Sequence, residues 1–189
     1  SIPKKGWVGL AFKNAALSAK YENLISIDID LTTDLNFIPE CLELLEKNYA
    51  IVVGSKKVGK QMRKWYRIFL SSVYIFFVKL LLALDYSDYS IGVKGYKKSF
   101  ISNALKEIDK ESFYVIELIY KTKLKGGKII EIPVYCDDRR GSKFNLLREA
   151  VYRGTKLLSF WFRERVIKTR ARSPKYVSIL PICSIQISA

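Results

Sequence analysis

The chain has 189 residues, 49% of them apolar, with ordinary counts of 10 Gly and 5 Pro, which suits one folded domain with a sizeable core and excludes a disordered or fibrous chain. Its 33 basic residues against 18 acidic ones give a formal net charge of +15, pointing to an anionic partner: nucleic acid, an anionic membrane surface or a phosphorylated substrate. Histidine is absent, which excludes a Ser-His-Asp triad, a Cys-His pair and a His-ligated zinc site, and leaves any metal to the oxygen ligands that Mg²⁺ and Mn²⁺ prefer.

In chain order, Trp7, Leu10, Ala11, Ala15 and Ala19 recur at helical spacing and predict a helix over 7–20. Residues 24–29 form a β-branched run, read as a buried strand. A second helix follows over 37–47, with Pro39 tolerated in its first turn. Residues 50–53 read as a second buried strand ended by Gly54-Ser55. Helix, strand, helix, strand is the alternation of an α/β fold with a parallel sheet. Next comes a basic loop in which Lys56, Lys57, Lys60, Arg63, Lys64 and Arg67 occur without an acid. It leads into an apolar helix over 68–84. The uninterrupted apolar part, 68–78, has 11 residues, too short for a bilayer core of about 30 Å, and Lys79 would be a costly interior charge. A core helix, or one lying in a membrane interface, fits the pattern.

Residues 91–96 predict a strand and 100–108 a helix. Another helix over 113–125 is stopped by Gly126-Gly127. Residues 128–135 predict a strand whose Pro133 marks an edge or a bulge. The loop CDDRRGSK precedes a long helix over 144–165, and the tail, 166–189, turns basic and then apolar and reads as a poorly ordered end. Cys41, Cys136 and Cys183 are distant and odd in number, as expected of buried, reduced thiols in a cytoplasmic protein.

Asp28 and Asp30 close the first strand. Residues i and i+2 of a strand share a side, and ligands of open α/β sheets bind beyond the carboxyl ends of the strands. Two carboxylates there repel each other unless a cation joins them. A divalent metal carrying a nucleotide diphosphate meets that requirement. For a bare D-x-D the simpler reading, one aspartate capping the next helix and the other in solvent, is favoured, so context must decide.

Four blocks in order, KGWVGLAFKNAALSA, IDIDLTTDLNFIPE, VVGSKK…WYRIFLS and FYVIELIYKTKLKGGKIIEIPVYCDDRRGSKF, resemble a family 2 glycosyltransferase of the dolichyl-phosphate mannose synthase type, over about residues 5–165. The resemblance implies an α/β, nucleotide-sugar-binding (GT-A, Rossmann-like) three-layer sandwich. The family's P-x-Y-N-E strand and D-D-G-S turn have no counterpart here, so the expected catalytic domain, 1–165, is N-terminally truncated. The implied reaction is metal-assisted, inverting transfer of a hexose (mannose or glucose) from a nucleotide-diphosphate sugar to a polyprenyl or dolichyl phosphate. Asp28 and Asp30 would hold Mg²⁺ or Mn²⁺ and, with Arg139, Arg140 and Lys143, the donor diphosphate. Lys56, Arg67 and Ser71 match positions linked to the acceptor phosphate, and Ser142 belongs to the closing loop. Asp30, Arg67 and Arg139 are the implied catalytic residues.

The chemistry is coherent with that implication. A phosphate monoester has a second pKa of about 6, so the acceptor needs no general base; it needs cations to align it beside another anion. Six cations followed by an apolar helix suit a membrane surface, with the basic groups at the headgroups, and a peripheral location on the cytoplasmic face. Glu117 fits either an acid-base role or an i, i+4 pair with Lys121. Two rival readings are a basic nucleic-acid-binding protein and a catalytically dead membrane-surface module. The first draws on 12 Tyr and on twelve Lys or Arg against Glu149 and Glu164 between Arg139 and Lys175. No nucleic-acid motif is recognisable, so no nucleic-acid partner is expected.

Overall fold

Ile51, Val52 and Val53 are all fully excluded from solvent. A strand achieves this only when both of its faces are covered, because successive side chains point to opposite sides. The computed structural model describes residues 7–28, 33–62, 65–137 and 146–167. Within them β1 (Asn23–Ser26), β2 (Ile51–Met62), β3 (Lys94–Lys97) and β4 (Ile129–Asp137) form a four-stranded sheet in the order β1-β3-β2-β4. β3 runs antiparallel to β1 and β2, while β2 and β4 are parallel. The sheet is therefore mixed, which corrects the parallel sheet that the alternation predicts. β1 and β2 do share a direction, but β3 is inserted between them.

Helices cover both faces, giving the three layers of an α/β fold compatible with a Rossmann-like sandwich. On one face, α2 (Phe37–Glu46) lays the stripe Phe37, Cys41 and Leu45 on Val52, Val93, Ile132 and Val134, the i, i+4, i+8 repeat of a half-buried helix. On the other face Ile51, Val53 and Tyr96 meet the larger core. This core is built from α1 (Val8–Ser18), α3 (Trp65–Leu82), α5 (Tyr114–Leu124) and α6 (Leu146–Trp161), with the short α4 (Lys98–Ile101). Every residue from Tyr114 to Tyr120 is buried. The reason is that α5 is enclosed: Tyr114 stacks on Phe12 of α1, and Tyr120 meets Phe160 of α6 edge-on.

Several boundaries differ from the sequence reading. Gly54-Ser55 does not end β2; the stretch read as the start of a basic loop continues as strand to Met62. It stays in the sheet because β4 keeps offering partners, with a register shift between Ser55 and Lys60. Pro133 faces Ser55 at that shift and lies on an outer strand of the sheet, so it is both an edge and an irregularity residue. The predicted helix over 100–108 is split into α4 and a 3-10 turn at Ala104–Lys106. The strand predicted over 91–96 begins only at Lys94, because a side-chain-bonded turn takes residues 88–92. Gly126, with φ of 75°, ends α5 as its sequence predicts. Among the described residues α6 runs over Leu146–Trp161 and passes into a π-helical turn, Phe162–Ile167. α3 has 18 residues and is long and apolar enough to cross a membrane, against the 11-residue run read from sequence. Cys41 and Cys136 are buried free thiols; Cys183 and the tail from 168 lie outside the described residues.

The predicted Glu117–Lys121 pair is not formed. Lys121 Nζ donates to Glu107 Oε2 at 3.1 Å, whereas Glu117 accepts the Asp109 N–H and lies 3.4 Å from Arg163 of the π-helical turn. Burial directs Glu117 inward across the α5–α6 contact, while the Lys121 ammonium reaches the surface. Burial raises the Glu117 carboxyl above its ordinary range, against the Asp109 N–H.

Two leucines of α2 make a direct test of this packing. Leu45 is 0% exposed and Leu42 39%. Leu45→Ala should cost about 2–5 kcal/mol of unfolding free energy, and Leu42→Ala no more than about 0.5 kcal/mol, by urea denaturation. Equal losses would place the α2 contact elsewhere.

Candidate functional site

Three strand ends converge on one edge of the sheet. β1 ends at Ser26, the paired core of β2 ends at Ser55, and β3, running the other way, begins at Lys94. The turn between α3 and β3 drops onto this edge and is bound there by side chains. Its Ser87 N–H donates to both Glu131 carboxylate oxygens, at 2.8 and 2.9 Å, and the Asp88 N–H to one of them at 3.1 Å. Ser87 Oγ donates to Glu131 at 3.0 Å and is 2.6 Å from Ser55 Oγ. Asp88, 2% exposed, folds the turn: its Oδ1 accepts from Ser90 N at 2.8 Å, Ser90 Oγ at 2.9 Å and Ile91 N at 3.3 Å. Its Oδ2 faces Lys56 Nζ at 3.5 Å, and the same ammonium donates to Ser90 Oγ at 2.9 Å. Burial pushes the Asp88 carboxyl up, but Lys56, Lys94 and the Ser90 donors together hold it below the carboxylate range.

Lys94 is fully buried, and its ammonium donates to the Ile91 carbonyl. Loss of solvent lowers its pKa to about 8, against the pull of Asp88 and Asp28. The site is thus a chain of alternating charge, Lys56, Asp88, Lys94 and Asp28, in which each buried ion has a neighbour of opposite sign.

Asp28 stands two residues beyond β1, and its Oδ2 accepts the Gly92 N–H at 3.0 Å. Thr33, five positions on, makes an antiparallel bridge to Cys136 of β4, and Asp34 N–H donates to Tyr135 O at 3.3 Å. Asp28 and Thr33 therefore stand toward opposite sides of the sheet, at its carboxyl end. Asp34, not Asp28, binds the entry to α2: its Oδ1 accepts from Asn36 N at 3.0 Å. Asp28 is therefore not the cap of α2, while Asp30, the other aspartate of that alternative, lies outside the described residues.

Of the other sequence-predicted residues, Lys56 is buried in the cluster just described. Arg67 and Ser71 lie one turn apart on α3, both partly buried. Lys57 Nζ donates to Ser72 Oγ at 3.1 Å, fastening the strand extension to α3 beside them. Asp30, Arg139, Arg140, Ser142 and Lys143 lie outside the described residues. Sequence reasoning missed Asp88, Ser90, Lys94 and Glu131. The signal for the first three is DYSIGVK, where Asp88, Ser90, Gly92 and Lys94 alternate with Tyr89, Ile91 and Val93 at the spacing of one strand face.

No protein-family model matches the chain. Among curated proteins it is similar to the glycosyltransferase AglD of Haloferax volcanii, with 25% identity over 178 residues that cover 91% of this chain and 28% of that protein. The chain spans little more than a quarter of that relative's length.

The Lys94 environment carries a pH signature. An unfolded lysine titrates near 10.5 and Lys94 in the fold near 8, so between these values the unfolded chain binds a proton that the folded chain does not. Stability from this group then rises with pH across that window and is flat below it. Lys94→Met should remove the rise: the stability difference, wild type minus variant, should climb between pH 8 and 10 in denaturant titrations. Parallel curves would mean that Lys94 titrates as an ordinary surface lysine.

Proposed function

We propose that the chain is part of a glycosyltransferase that moves a hexose, mannose or glucose, from a nucleoside-diphosphate sugar to a polyprenyl or dolichyl phosphate at a membrane surface. The observation that carries this reading is Asp28, held by the Gly92 N–H at the carboxyl end of an α/β sheet in a chain similar to a glycosyltransferase over 91% of its length. The donor's diphosphate suits that end of the sheet, and the acceptor phosphate is already a nucleophile at neutral pH.

Among the described residues no group of three carboxylates or thiols stands together. Mg²⁺ is ordinarily held by one or two carboxylates plus substrate phosphates, not by a full protein cage, so Asp28 with Asp30 fits such an ion or Mn²⁺. When bound, the ion would offset the charge of the leaving diphosphate. In this reading Asp28 and Asp30, with Arg139, Arg140 and Lys143, bind the donor. Arg67 and Ser71 bind the acceptor phosphate, and Lys56 stands at that end of the site, anchored by Ser90 and Asp88. Asp30, Arg67 and Arg139 are the residues this reading assigns to catalysis. Alignment of two anions is the main task, and a rigid set of paired charges suits it.

α3 supplies the membrane contact. Val78 and Leu82 are buried, with Tyr74, Ile75 and Leu81 packed beside them. Trp65, Phe69, Phe76 and Leu80 are 60–78% exposed. A helix packed on its own domain along one side and bare along the other suits a position flat in the interface better than one across the bilayer. Its Trp65 end, beside basic β2, suits the headgroup level, and the location is peripheral on the cytoplasmic face.

Calorimetric titration with GDP-mannose and UDP-glucose, with and without Mn²⁺, tests the site. One donor should bind only with the metal, and Asp28→Asn with Asp30→Asn should weaken it at least about tenfold. Equal binding without metal would defeat the metal assignment. For the surface, liposome flotation should show binding to vesicles containing anionic lipid, and loss of it when Phe69, Phe76 and Leu80 become Ser. Unchanged flotation would exclude α3 as the anchor.

A further inference from the structure

Gly92 joins the Asp88 turn to β3, and both of its backbone polar groups are taken by the segment at the end of β1. Its N–H donates to Asp28 Oδ2 at 3.0 Å, and its carbonyl accepts from Ser26 Oγ at 2.6 Å. A Cβ on Gly92 would overlap Asp28 Oδ1 and lie 2.6 Å from the Asp28 Cγ. The Asp28 carboxylate thus fills the space that any side chain at 92 would need. Backbone conformation does not explain the glycine: among the described glycines only Gly126 has φ in the left-handed region. The requirement is for room.

Gly92 is also held from behind. Asp88 closes the turn on Ser90 and Ile91, and Lys56 of β2 is bound to Asp88 and Ser90. Glu131 of β4 accepts the Ser87 and Asp88 N–H groups. The turn is therefore tied to a central strand, β2, and an outer strand, β4, at once and cannot retreat from Asp28 without breaking charge-assisted bonds.

We infer that Gly92 is a positioning residue for Asp28. Its absent side chain and its N–H together direct the Asp28 carboxylate, and the Asp88 turn transmits the rigidity of β2 and β4 to that carboxylate. A carboxylate oriented by an outer hydrogen-bond partner is a pre-aimed ligand. The value of this to catalysis rests on the donor-site reading proposed above; the positioning itself does not.

The test is a double-mutant cycle on the full chain: Gly92→Ala, Asp28→Ala and the two together, followed by denaturant unfolding and by Mn²⁺ titration. Gly92→Ala should lower the unfolding midpoint clearly in the presence of Asp28 and much less in the Asp28→Ala background, where the space is vacated. It should also weaken Mn²⁺ binding about tenfold or more, although both aspartates are retained. Equal midpoint losses in the two backgrounds, or Mn²⁺ affinity unchanged by Gly92→Ala, would overturn the inference. If Gly92→Ala alone does not fold, the double variant should recover folded protein, and failure to recover it overturns the inference as well. A wild-type chain with no Mn²⁺ affinity would instead sink the metal reading, leaving the unfolding cycle to decide the positioning.

Discussion

The buried Asp88 carboxylate between Lys56 and Lys94 is the interaction on which the carboxyl end of this sheet depends. Asp88 is 2% exposed and Lys94 fully buried, so neither ion is stable there without the other and without the hydrogen bonds that complete the pair. Removing one partner of such a set typically costs about 3–5 kcal/mol. That stringency is useful in a turn with no regular structure. With Asp88 bound to Lys56 and to the Ser90 and Ile91 N–H groups, the chain from α3 to β3 carries Gly92 to Asp28.

The same cluster explains why the strands end where they do. β3 begins at Lys94 because residues 88–92 hydrogen-bond to side chains instead of to a neighbouring strand. β2 runs on past Ser55 toward β4, with its register reset opposite Pro133, whose missing N–H interrupts the ladder. Lys56 and Ser55 are then free to face the turn. An irregular sheet edge is the cost of bringing polar groups from β2, β3 and β4 to one place, and it lies where open sheets bind their ligands.

α3 and α5 show how one composition yields opposite environments. Both are strongly apolar, yet every residue from Tyr114 to Tyr120 of α5 is buried, while α3 has only Val78 and Leu82 fully enclosed. α5 is flanked by the sheet, α1 and α6; α3 meets the core along one side only. Its uncovered apolar face is the feature that the proposed membrane association accounts for, and it places the basic extension of β2 at the same surface.

The local order of this protein is legible in its residues. The stripe Phe37, Cys41 and Leu45 marks α2, Gly126-Gly127 marks the end of α5, Pro133 marks an interrupted outer strand, and Asp28 marks the carboxyl end of β1. These depend on spacing, on backbone conformation and on a missing N–H, all of which are properties of a few neighbouring residues. Strand direction, the continuation of β2, the pairing of Glu117 with Arg163 in place of Lys121, and the Asp88–Lys56–Lys94 cluster were not legible. Each depends on which distant group arrives to cover a charge or a hydrogen-bonding edge, and DYSIGVK contains nothing that names Lys56 or Glu131 as its partner. The sequence by itself determined the main helices, the cores of the strands and that a carboxylate would stand at the end of the first strand. Only the tertiary structure decided what surrounds that carboxylate, because burial of paired charges is settled by the whole chain at once.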